Sequence, residues 1–218
     1  MKSSNQKAID DFEYKQAIHY HNNGELNEAE KLYRRLIKRL PNNVGLFTRL
    51  GTLLFEKGMF HEGIRFVKKS IKLDPYQLAA TINLGNACQE INDYEQALFF
   101  YEKAIQLNSG FSQAYFNKAV ALQNLLRFED AVLVFDQVIA LEPRYVEAYF
   151  RKAVCLQALH RYIDAKLTYE VTVLLNPSHA IAFYNLGIIL KELQQYSESI
   201  TAYQNAIKIF PGFVEAHS

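Results

Sequence analysis

The side chains here with the most chemical potential are two cysteines, six histidines and a dense run of basic residues. Their spacing decides what chemistry they can do. Cys88 and Cys155 each stand alone in an apolar helical pattern, which suits a small buried hydrophobe and neither a disulfide nor a metal site. His19 and His21 are two residues apart and point to different sides of a helix, whereas a metal pair on one helix needs a spacing of three or four. There is no glycine-rich phosphate loop, nucleophile elbow or Cys-Xaa-Xaa-Cys pair, so no enzyme activity is expected of this chain alone, and no metal or cofactor. Lys31, Arg34, Arg35, Lys38 and Arg39 form a basic run, followed one period later by Lys68, Lys69 and Lys72. Like charges one turn apart cost helix stability, so this outward-facing cluster either meets an acidic partner or is a solvated face, the simpler reading.

Composition narrows the partners. Half of the residues are hydrophobic and 22% are charged, as in an ordinary globular chain, and the net charge is only +1. No overall field would recruit nucleic acid or an acidic membrane, and the aromatic interleaving of nucleic-acid binders is absent. No apolar run is long enough to span a bilayer. The opening residues, MKSSNQKAIDDFEYK, lack the apolar core of a secretory leader. With unpaired cysteines, this suits the reducing cytoplasm.

The elements that must position any site follow from punctuation. All five prolines share one phase: Pro41, Pro75, Pro143, Pro177 and Pro211, spaced by 34 or 68 residues, with Ser109 and Gly110 at the vacant place. Proline ends helices, so the phase marks a repeat. Other columns keep the same period: a small residue at Ala17, Gly51, Gly85, Ala119, Ala153 and Gly187; another at Ala29, Gly63, Ala97, Ala131, Ala165 and Ser199. A large one stands at Tyr33, Val67, Tyr101, Phe135, Tyr169 and Tyr203. Within a unit the period is helical: Tyr149, Lys152, Ala153 and Leu156 fall on one face, and Tyr162, Ala165, Tyr169, Thr172 and Val173 on another. Each unit is therefore a helix pair that buries its apolar stripes by stacking on its neighbours. The units run 10–43, 44–77, 78–111, 112–145, 146–179 and 180–213, after an N-terminal extension at 1–9.

Small residues at the eighth and twentieth positions, an aromatic at the twenty-fourth and proline at the thirty-second resemble the tetratricopeptide repeat over essentially the whole chain. Tryptophan, often at the fourth position of that family, is replaced by Glu13, Phe47, Thr81, Tyr115, Tyr149 and Phe183, and the first unit is expected to act as a polar cap. The resemblance implies an all-α, right-handed superhelical solenoid of six helix-turn-helix repeats. It also implies a concave groove, lined by positions two, five, six, nine and twelve of each first helix, for a protein or peptide partner.

In those columns, Phe116, Phe150 and Tyr184 offer apolar anchors, beside Val120, Val154 and Ile188. Asn83, Asn117, Arg151 and Asn185 offer donors for a peptide backbone, with Asn86, Gln89, Gln123, Gln157 and Lys191 completing the groove. Exposed aromatics rimmed by polar donors suit an extended peptide, although the same residues could be consumed in packing between repeats. The asparagines resemble the ladder in the repeats of O-linked N-acetylglucosamine transferase, so a rival reading makes the chain the substrate-selecting N-terminal module of a larger glycosyltransferase-type enzyme. The family's carboxylate clamp is not expected, since the fifth column is apolar from Ile82 onward and the ninth keeps only Asn86. Residues 214–218 align with the opening of a seventh repeat. The apolar face of the sixth is therefore expected to be covered by further chain, or by a second copy in an end-to-end homodimer.

Overall fold

The computed structural model describes residues 4–212, with side chains from residue 6. Phe213 and residues 214–218, where a seventh repeat was expected to open, lie outside the described residues. The described chain is all-α, with twelve helices in six antiparallel pairs and no strand. Two compact units divide it at Asn108 and Ser109. The first contains α1 (Ser4–Asn22), α2 (Leu26–Arg39), α3 (Val44–Glu56), α4 (Phe60–Leu73), α5 (Leu78–Glu90) and α6 (Tyr94–Leu107). The second contains α7 (Ser112–Asn124), α8 (Phe128–Leu141), α9 (Val146–Ala158), α10 (Tyr162–Leu175), α11 (Ala180–Glu192) and α12 (Tyr196–Ile209). Within each unit every helix packs on the next, so the core runs through successive pairs as in a stacked array. No described helix is long and apolar enough to cross a membrane.

The pairs close through the columns that carry the period. The column-twenty-four side chains Tyr33, Val67, Tyr101, Phe135 and Tyr169 are completely buried. They stand against the small residue of column eight: a Cβ built on Gly85 would lie 2.6 Å from the Tyr101 ring, and one on Gly187 2.6 Å from Tyr203. Columns three and ten of the first helices are buried as well, as Leu46, Ala80, Ala114, Ala148 and Ala182, and as Leu53, Ala87, Ala121, Cys155 and Ile189. The small, weakly hydrophobic alanines there hide their role in the sequence pattern.

Every first helix ends in the same turn. The residue at position fifteen has a left-handed backbone: Gly24, Gly58, Asn92, Leu126, His160 and Gln194, with φ between 55° and 79°. Its N–H donates three residues back, as from Leu126 to Gln123 O at 3.0 Å, and the next N–H five back, as from Arg127 to Leu122 O at 2.9 Å. This is the Schellman arrangement, which favours glycine at that position because a Cβ crowds the backbone. Leu126 is 71% exposed, so no packing offsets the strain. We expect Leu126→Gly to stabilise the protein by about 1 kcal/mol, the left-handed penalty being relieved, as read by urea denaturation. An unchanged midpoint would show that the turn is not strained.

The aromatic column also carries hydroxyls. Tyr101 donates to Asn86 Oδ1 at 2.9 Å, and Tyr169 donates to Gln157 Oε1 at 2.9 Å. Phe135 holds the same place in the fourth pair but has no hydroxyl, and Gln123 Oε1 is buried without a hydrogen-bond partner. An unmet buried acceptor costs on the order of 1–3 kcal/mol. Phe135→Tyr is expected to raise the melting temperature and Tyr169→Phe to lower it, each by roughly 1 kcal/mol of stability; shifts of one sign for both would contradict this account.

Candidate functional site

The candidate residues project from the first helices, and the two units present them differently. In the second unit, α7, α9 and α11 bring the column-five rings into a recurring arrangement. Each ring packs on the column-twenty-four ring of its own pair: Phe116 on Phe135 at 5.9 Å between centroids, Phe150 on Tyr169 at 6.1 Å and Tyr184 on Tyr203 at 5.7 Å. The residue that ends the pair closes over the same ring, Tyr145 over Phe116 at 5.0 Å and His179 over Phe150 at 4.7 Å. The three anchors are therefore half-buried, not the freely exposed rings read from the sequence. For Phe116 and Phe150 part of the cause is the connection to the next pair, whose last residue folds back onto the ring. Val120, Val154 and Ile188 are half-buried too.

Polar groups surround these rings in fixed positions. Arg151 Nε donates to Glu147 Oε1 at 2.7 Å, one turn back, and its guanidinium lies 5.9 Å from the centre of the Phe116 ring. The two terminal nitrogens of Arg151 have no partner among the described residues. Asn185 Nδ2 donates to Tyr169 Oη at 3.2 Å, the same hydroxyl that donates to Gln157. One buried tyrosine thus orients amides from two successive first helices. Burial pushes the hydroxyl of Tyr33 up to about 12 and those of Tyr101 and Tyr169 upward as well, so all three remain protonated donors at neutral pH. Asn117 Oδ1 accepts from Gln113 Nε2 at 2.8 Å, and Lys191 is exposed at the end of α11.

In the first unit, Asn83 and Asn86 line a pocket of about 210 Å³ between α3 and α5, and Gln89 lies beyond its lining, within 3.4 Å of Tyr101 Oη. Phe55 and Phe60 stack on the pocket's other side, at 6.3 Å and 24° between planes. Glu56 and Glu90 complete it. The sixth column has no carboxylate, but the thirteenth supplies two, and they were missed because that position lies at the helix end, outside the groove pattern. His21 reaches Glu56 Oε2 at 3.1 Å, so the histidine that faced no metal partner in the sequence has a carboxylate partner from another pair. Among the described residues no group of histidine, cysteine and acidic side chains could hold a metal.

The basic run on α2 is not a free surface. Lys31 pairs with Glu28 at 2.6 Å, Arg34 with Glu30 at 2.7 Å and Glu62 at 2.9 Å, and Arg35 with Glu13 at 3.1 Å; Arg39 reaches Asp10 and Glu13. Burial alone would raise the Glu30 carboxyl, but hydrogen bonds from Lys57 and Arg34 outweigh it and hold the group below its ordinary value. The chain's own carboxylates therefore neutralise most of the run, a pairing between helices that a one-dimensional charge count misses.

Both thiols are buried, and desolvation raises Cys88 to about 11 and Cys155 to about 12. At pH 8 the native chain should therefore react slowly with a thiol reagent and the urea-unfolded chain rapidly. Fast labelling of the folded protein would show that the helix pairs open readily.

Models of the tetratricopeptide repeat match residues 11–43, 44–77, 79–111, 116–165 and 180–213. No curated protein sequence matches the chain. Among solved structures, the chain resembles YrrB, described as a TPR protein with an unusual peptide-binding site, at 20% identity and a TM-score of 0.73 over 85% of this chain and 95% of that one. A MamA structure aligns at 22% identity and a TM-score of 0.73, over 76% of this chain and 91% of MamA. A tetratricopeptide repeat protein from Parabacteroides merdae aligns at 15% identity and 0.77, over 95% and 82%.

Proposed function

Because the chain belongs to the tetratricopeptide-repeat family, we propose that it is a protein-interaction scaffold that holds an extended peptide segment of its partner against the first helices of its second unit. The repeats framing this reading are those at 10–43, 44–77, 78–111, 112–145, 146–179 and 180–213. The observation that carries it is Arg151, whose guanidinium is oriented by Glu147 and the Phe116 ring while its terminal nitrogens remain unpaired. A donor fixed beside apolar surface is suited to a peptide carbonyl, since little rotamer freedom is lost on binding. Phe116, Phe150 and Tyr184 give ring surface for apolar side chains, and Asn117, Gln157 and Asn185 give amide groups at intervals along it. In the first unit, Asn83 and Asn86 offer amide groups of their own, next to Glu56 and Glu90. The peptide-binding site that describes YrrB supports the reading as a property of a protein with this fold.

The test is selection of random peptides displayed on phage against the immobilised chain. Affinities are then compared between wild type and the double variant Phe150→Ala, Arg151→Ala, both checked for helicity by circular dichroism. Selected peptides should bind the variant roughly tenfold more weakly, as removal of a central aromatic and an arginine implies. Equal affinities for folded wild type and variant would sink the reading.

A further inference from the structure

The second helices of the first unit form a groove of their own. It lies between α4 and α6 and has a volume of about 480 Å³. Ile71 and Phe100 are buried in it, while Phe99 keeps 55% of its surface exposed. Lys68, Lys72 and Lys103 line the groove, and no carboxylate does. Lys68 donates to the amide of Gln96 and lies 5.7 Å from the centre of the Phe100 ring; Lys103 lies 5.7 Å from that of Phe99. Neither Lys72 nor Lys103 has a carboxylate within ion-pair distance among the described residues.

This imbalance stands out against the rest of the same molecule. The groove between α8 and α10 in the second unit pairs Lys152 with Asp136 at 2.6 Å and Arg161 with Asp164 at 2.7 Å. Between α10 and α12, Lys166 faces Glu170 at 3.7 Å and Glu198 adds a further negative charge. The place held by Lys68 is taken in later repeats by Glu102, Asp136 and Glu170. Arg34, one repeat earlier, is neutralised by Glu30 and Glu62. In a chain with a net charge of only +1, three lysines thus remain around one apolar groove.

We propose that the α4–α6 groove is a docking site for an acidic segment of a partner protein. One aromatic or branched apolar side chain of the segment enters beside Phe99 and Phe100, and carboxylates on either side of it meet Lys68, Lys72 and Lys103. Charge complementarity selects the acidic partner. A recess between two helices selects a peptide over a lipid surface, which needs a protruding apolar face.

The experiment is fluorescence anisotropy with a dye-labelled glutamate peptide carrying one central phenylalanine, titrated with the full chain. Wild type should show saturable binding that weakens as salt screens the lysines. The variant Lys72→Glu, Lys103→Glu, altered at surface positions and checked by circular dichroism, should bind roughly tenfold more weakly. A peptide with alanine at the centre should bind several-fold more weakly. The Phe150→Ala, Arg151→Ala variant should bind as wild type does, which separates this site from the first-helix groove. The proposal is overturned by absence of saturable binding, by equal affinity for the lysine variant, or by equal affinity for the alanine peptide. It is also overturned if phosphatidylserine vesicles retain the chain more tightly than the peptide does.

Discussion

The contact on which this architecture depends is the one between a large side chain on each second helix, a ring in every pair but that of α3 and α4, and a small residue on the first helix of its pair. The space around Gly85 and Gly187 is taken by the rings of Tyr101 and Tyr203, so close that a methyl group there would force a shift. Such packing brings two helix axes near enough for a tyrosine rooted in the second helix to pass its hydroxyl through to the first. The amides it meets there belong to the first-helix columns: Asn86 in one pair, Gln157 in another and, from the pair that follows it, Asn185. One contact therefore closes the core and sets the orientation of the polar groups that face a ligand. A rigid polar surface of this kind loses little entropy on binding.

The fold was legible because its signals are periodic. Prolines, small residues and rings return every 34 residues, and stacked helix pairs are the arrangement that buries all of them. The site was less legible, for reasons of geometry. Phe116 and Phe150 were correctly placed on the first helices, but the residues that half-cover them, Tyr145 and His179, come from the connection to the next pair. Glu56 and Glu90 lie in a column that the groove pattern passes over. The left-handed position escaped notice because glycine and asparagine mark it only through Asn92, before leucine, histidine and glutamine take over with the same backbone.

Charge illustrates a further difference between a sequence and its fold. The basic residues of α2 look conspicuous in one dimension, yet carboxylates from α1, α2 and α4 meet them in three. The lysines of α4 and α6 are fewer and farther apart in sequence, yet they share one groove that holds no carboxylate. Where a charge remains uncompensated depends on which helices become neighbours, and the repeat makes those neighbours comparable from one pair to the next.

The run of left-handed turns also bears on how such an array opens. In a stack whose stability is a sum of units and nearest-neighbour interfaces, a local penalty is felt where it sits and is shared only with adjacent pairs. The turns with glycine at Gly24 and Gly58 carry no Cβ conflict, whereas those at Leu126, His160 and Gln194 do. Strain is thus graded along the chain, heaviest in the second unit, the one whose rings and amides form the first-helix surface. That strain lowers the cost of sub-global opening in those pairs. A segment bound across several of them would act as a splint, tying together the repeats that carry this strain.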